Sequence, residues 1–223
     1  MSRIPVPVKI VYTAFVAVLV PYYWVTYTPW NFLYFCDVAL LLTLVAIWTE
    51  NALLVSMSGV GILLPQTLWV LDFLLRAVAG IHLTGITAYM FDPALPLFVR
   101  GLSTFHGWLP FLLVYLLSRV GYDRRAYPAQ AMLAVALLLI CFYVAPKPPP
   151  STEFPSHAVN INYVYGMDDK RPQTFMAPEL WLLLMMVVNV VVLYLPTHVI
   201  LEKIYPPAGS RSARPAESVA VAQ

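Results

Sequence analysis

Five stretches of the chain, residues 10–36, 51–71, 101–118, 126–146 and 180–201, contain no Asp, Glu, Lys or Arg. A helix needs about 20 apolar residues to cross the hydrocarbon of a bilayer. Residues 10–36 are too many for one helix, and Thr28-Pro29-Trp30 breaks them in two. Runs this apolar on every face have no side to turn toward water. Composition agrees: 11% of residues are charged and 61% hydrophobic, where a soluble domain carries roughly 25% charged residues. The fold class expected is therefore all-α, a polytopic transmembrane helical bundle.

Six spans are expected, at about residues 9–27, 31–48, 52–76, 97–120, 128–145 and 178–201, within one domain of residues 1–205. Arg3 and Lys9 precede the first run as they would in a signal peptide. The run then continues through Tyr22-Tyr23-Trp24 without a small-residue cleavage site, so it reads as a retained span. Residues 77–95 are amphipathic and suit the interface; a seventh span there would invert everything after it. Residues 146–177 form a polar, Pro-rich outer loop, and residues 206–223 read as a disordered cytoplasmic tail. Cytoplasmic ends of spans carry an excess of Lys and Arg. Six spans put Arg3, Lys9, Arg119, Arg124, Arg125, Lys203, Arg211 and Arg214 on one side and Arg76, Arg100, Lys147, Lys170 and Arg171 on the other. The eight-to-five asymmetry favours cytoplasmic termini. The location expected is a cell membrane of bacterial inner-membrane type.

A net charge of +2 with no basic stripe argues against nucleic acid as a partner. Two cysteines, Cys36 and Cys141, form neither a disulfide framework nor a zinc site. No cofactor is implied. Membrane lipids are the expected partners, and oligomeric state is open.

Ionisable groups in a span are costly unless they are paired or face a cavity, so their depth is informative. On the six-span reading, Cys36, Asp37, Asp72, Arg76, Arg100, Ser103 and His106 all fall in the outer half, and the inner half supplies few equivalents. Asp72 and Arg76 are four residues apart and can pair on a helix; Arg76 can otherwise anchor an anionic head group. Arg100, Ser103 and His106 recur every three residues and share a helix face. Pro110 has no N–H for the carbonyl of His106, so a kink is expected there. Taken singly, Cys36 also fits a small apolar filler, and His106 a histidine hydrogen-bonded between helices. His157, Asn160, Asn162, Tyr163 and Tyr165 could form a lid over the site.

Three segments carry a resemblance: Asn31-Phe32-Leu33-Tyr34-Phe35-Cys36-Asp37, Leu102-Ser103-Thr104-Phe105-His106-Gly107-Trp108-Leu109 and Asn160-Ile161-Asn162-Tyr163. In this order they resemble the YwaF-like six-span integral membrane proteins, a group related to androgen-induced lipid-ester hydrolases and to a lipid acyltransferase. The chain departs from the pattern at Tyr34, where a His would be expected, and residues 77–95 look inserted. The resemblance implies acyl transfer on a lipid ester. Cys36 would be the nucleophile and His106 the base. Read from position, Asp37 can orient a histidine or bridge to Arg76 or Arg100, and Arg76, Arg100, Ser103 and Asp72 are the candidate substrate-binding residues. The competing class is non-catalytic: a membrane scaffold, an assembly factor or a small-ligand carrier.

Overall fold

The computed structural model describes residues 2–148, 158–168 and 171–208. Its helices are α1 (Val6–Tyr27), α2 (Phe35–Thr49), α3 (Ala52–Ala79), α4 (Leu97–Ser103), α5 (Phe105–Val120), α6 (Ala126–Tyr143), α7 (Pro178–Val187) and α8 (Leu195–Ile204). A π-helical stretch, Val188–Tyr194, fuses α7 to α8, and α4 runs almost directly into α5. Among the described residues five helical segments are long and apolar enough to cross a membrane, and α2 is a shorter apolar helix of 15 residues.

Contacts between the helix ends define two poles. At the first pole, Arg119 Nε donates to the Arg3 carbonyl (2.8 Å), the Asp123 N–H donates to Ser56 Oγ (3.0 Å), and Tyr122 Oη meets His198 Nδ1 (2.7 Å). At the second pole lie the 3-10 turns Pro29–Leu33, Ala88–Phe91 and Ile161–Tyr163. The described chain thus runs between the poles six times, with the first and last helices sharing the first pole.

The middle of the bundle is α3. In it, 61% of the most apolar 18 residues are buried, against 28–39% in the other long helices. Its sequence explains this: Ser56, Ser58, Gly59 and Gly61 are small enough to let neighbouring helices approach closely. At Gly61 a Cβ would lie 2.6 Å from Gln130 Nε2 of α6. Asn51 starts α3, its side chain accepting from the N–H groups of Leu53 and Leu54.

Glu50, in the left-handed turn between α2 and α3, clamps the N-terminus. Its carboxylate accepts from Ser2 Oγ, from the N–H of Arg3 (3.0 Å) and Ile4 (3.3 Å), and from Lys9 Nζ (2.9 Å). Partial burial pushes the Glu50 carboxyl up, but these donors outweigh it and hold the group at about 2, below an ordinary 4.5. A depressed carboxyl stabilises the fold above its unfolded value and stops doing so as pH falls through its folded one. The clamp should therefore be intact at pH 5 and above, and weaken between pH 4.5 and 2. Glu50→Gln is expected to lower thermal stability in detergent by roughly 1–3 kcal/mol at pH 7 and to flatten the acid limb of the stability profile.

The structure adds detail to four of these expectations. Residues 77–95 hold no seventh span: α3 continues to Ala79, Gly80 caps it at φ 68°, and the segment beyond is coil with one 3-10 turn at Ala88–Phe91. The fourth predicted span breaks at Thr104, while the helix runs unbroken through Pro110. The last predicted span widens to a π-helix because Pro196 has no N–H for the Val192 carbonyl and Asn189 donates back to the Met185 carbonyl (2.7 Å). Polar groups also extend beyond the second pole, with Thr43, Gln66, Gln130 and Asn189 all buried. The expected tail is described only as far as Ala208, whose N–H donates to the Tyr122 carbonyl (3.0 Å).

Candidate functional site at the loop-rich pole

The start of α2 brings the first group of side chains to the second pole. Asn162, held at φ 57°, supplies the cap that α2 lacks: its Oδ1 accepts the Phe35 N–H (3.0 Å) and its Nδ2 donates to the Leu33 carbonyl (2.8 Å). One residue on, half-buried Cys36 points its thiol at Asp37 Oδ2 (3.9 Å). That oxygen also accepts from Asn31 Nδ2 (3.1 Å), while Asp37 Oδ1 is buried without a partner.

The second group stands where α4 passes into α5. Ser103 Oγ lies 3.2 Å from the Tyr23 hydroxyl of α1. His106 Nδ1 lies 2.9 Å from the Ser103 carbonyl, and its ring stacks on Trp69 of α3 at 5.5 Å and 23°. A carbonyl only accepts, so the assigned tautomer carries its proton on Nδ1 and leaves the Nε2 lone pair free. Among the described residues Nε2 makes no hydrogen bond, and it is not one of the buried unpartnered atoms.

The third group is the loop between α3 and α4. Asp72 is fully buried and fastens this loop. Its Oδ1 accepts the N–H of Thr84 (2.6 Å) and Gly85 (3.2 Å); its Oδ2 accepts the N–H (3.2 Å) and hydroxyl (2.5 Å) of Thr87. The fastened loop presents the turn Ala88–Phe91 to the helices. Burial pushes the Tyr89 phenol up, while the Trp69 and Ser103 side chains pull it down. Tyr89 therefore stands beside the serine next to His106. Arg76 lays its guanidinium over the Phe91 ring (4.7 Å), and Arg100 Nη1 donates to the Met90 carbonyl (3.2 Å).

The expected ion pair between Asp72 and Arg76 does not form. The physical reason is competition: loop N–H and O–H donors occupy both Asp72 oxygens, and the Arg76 side chain turns to Phe91. Cys36 and Asp37 are adjacent, as are Ser103 and His106, but among the described residues no hydrogen bond joins Cys36 to His106, and no ion pair joins Asp37 to either arginine. The proposed lid divides: Asn160, Asn162, Tyr163 and Tyr165 brace the pole, and His157 lies outside the described residues. No three His, Cys, Asp or Glu side chains among the described residues gather as a metal site. Tyr23 and Tyr89 are additions to the site that the sequence reading did not single out. Both look like membrane-interface aromatics in the sequence; Tyr23 meets Ser103 directly from α1, and Tyr89 reaches it because the loop fastened to α3 packs against α4.

The class these features define is a multi-pass helical membrane protein with a buried polar cluster at one pole. No family model, curated protein or solved structure matches the chain.

Proposed function

We propose that the six helical segments cross a cell membrane with both termini cytoplasmic, and that the loop-rich pole acts on lipid acyl esters from the outer-leaflet side. The observation that supports this most is His106. Its Nδ1 is committed to the Ser103 carbonyl, which presents Nε2 as a proton acceptor, and Trp69 fixes the ring plane. In the thioester route Nε2 takes the Cys36 thiol proton, sulfur bonds to the ester carbon, and the bond to the lipid alcohol breaks as that alcohol takes the proton back. Water or a second lipid hydroxyl then accepts the acyl group. Cys36 has to turn from Asp37 for this step. The distant likeness to YwaF-like proteins and their lipid-ester relatives points the same way.

One observation favours the non-catalytic alternative of a scaffold or carrier: Cys36 and His106 each bond a neighbour of their own rather than each other. A thiol-acylating lipid probe and a fluorophosphonate probe separate the two readings. The enzyme reading expects labelling of purified wild type that Cys36→Ala abolishes; a scaffold gives no Cys36-dependent labelling.

Orientation has its own check. A cysteine introduced at Ser151 should react with an impermeant maleimide in intact cells above the wild-type background, and one at Ser218 should not. The opposite pattern would invert the topology.

A further inference from the structure

Arg76 and Arg100 come from different helices and end on adjacent residues of one turn, Phe91 and Met90. Two cations held on one turn favour a counter-charge, and no ion pair to either arginine exists among the described residues. Neither of the nearest carboxylates in sequence pairs with an arginine. Asp72 has both oxygens on the loop, and Asp92 Oδ1 accepts the Ala94 N–H (2.8 Å). Each guanidinium also keeps a buried nitrogen with no acceptor, Nη1 in Arg76 and Nε in Arg100. A buried charged donor without an acceptor is costly, so an acceptor from outside the chain would be strongly favoured there.

We infer that Arg76 and Arg100, steadied by the turn Ala88–Phe91, hold a phosphate anion, and that the lipid proposed above is a net-anionic phospholipid. Guanidinium groups match phosphate oxygens with paired N–H donors, and the resulting bonds are charge-assisted. The acyl esters of such a lipid lie just beneath its phosphate. His106 connects to the same turn through rings: it stacks on Trp69, which in turn stacks on Phe73 (5.4 Å), and Phe73 meets Phe91 (5.3 Å). The head-group site and the proposed base are thus joined by a continuous row of rings. The assignment of substrate class rests on the lipid-ester reading; anion binding does not.

The test uses the full chain in phosphatidylcholine nanodiscs. Phosphatidylglycerol is titrated in one arm and inorganic phosphate in another, with bound lipid counted by native mass spectrometry and phosphate by isotope retention. Wild type should retain phosphatidylglycerol about tenfold better than Arg76→Gln or Arg100→Gln, the scale of one charge-assisted hydrogen bond. Arg171→Gln should leave retention unchanged. Retention of inorganic phosphate with the same arginine dependence supports the anion site and identifies a free anion as its occupant. If a variant does not fold, Arg76→Lys and Arg100→Lys keep the charge and lose the paired geometry, and should fall between wild type and background. Equal retention by wild type and both Gln variants, or no retention of either anion, overturns the inference. Ester turnover without a preference for anionic lipid overturns the inference but leaves the esterase reading standing. Arginine-dependent anion binding without turnover supports the anion site and removes the esterase reading.

Discussion

Asp72→Ala is expected to be among the most destabilising single changes at the loop-rich pole, costing on the order of 3–5 kcal/mol in detergent. The carboxylate is fully buried and takes three N–H groups and one hydroxyl from residues 84–87. Its removal strands all four donors, or releases the loop and with it Tyr89, Arg76 and Arg100 from their present contacts. Asp72→Asn keeps the shape and one oxygen and should lose less. The effect should not depend on Arg76, because the two side chains do not pair: Asp72→Ala with Arg76→Ala should equal the sum of the single changes within about 0.5 kcal/mol. Rescue of Asp72→Ala by Arg76→Ala would reinstate the ion pair. Limited proteolysis within residues 80–96 should rise in the single mutant and separate loop release from global unfolding.

The second large effect concerns Cys36 and His106. Residues that act in one step give non-additive losses, because once one is gone the other has nothing left to assist. Cys36→Ala, His106→Ala and the double variant should then share the same low lipid-ester turnover. Three outcomes divide the chemistry. Equal losses support the thioester route. Loss in His106→Ala alone makes water the nucleophile and leaves Cys36, which already donates to Asp37, as packing. Loss in neither supports the scaffold reading. Tyr89→Phe adds a finer test: its phenol stands beside Ser103, so its loss should alter turnover while sparing fold stability, since the ring keeps its packing.

The sequence made the helices legible because burial in lipid leaves a one-dimensional signal. Charge-free runs located the long helices, short α2 followed from the apolar residues after Asp37, and Thr28-Pro29 located the break between α1 and α2. Pro196 and Asn189 were visible too, but their joint product, a π-helix, depends on how the backbone shares its carbonyls. Spacing failed for Asp72 and Arg76. An i,i+4 interval shows that two side chains can meet, but not that backbone N–H groups twelve to fifteen residues away will outcompete the arginine. The same loop hid Tyr89, since nothing local marks a tyrosine that reaches a site only when a distant carboxylate folds its loop back. Ser103 and His106 were legible as neighbours by their interval of three, although the contact runs through the Ser103 carbonyl and not its hydroxyl. Asn162 could be found only as one polar loop residue among several, because its role as the cap of α2 spans 127 residues of sequence.

The lipid-ester reading stands or falls on the base. Release of labelled fatty acid from phosphatidylglycerol by the purified chain in nanodiscs, compared with His106→Gln, tests it directly. A positioned general base contributes about 10²–10⁴-fold. Wild type should therefore release fatty acid at least about a hundredfold faster than His106→Gln with matched thermal stability. Equal rates in the two proteins, or no release above protein-free nanodiscs, would contradict it.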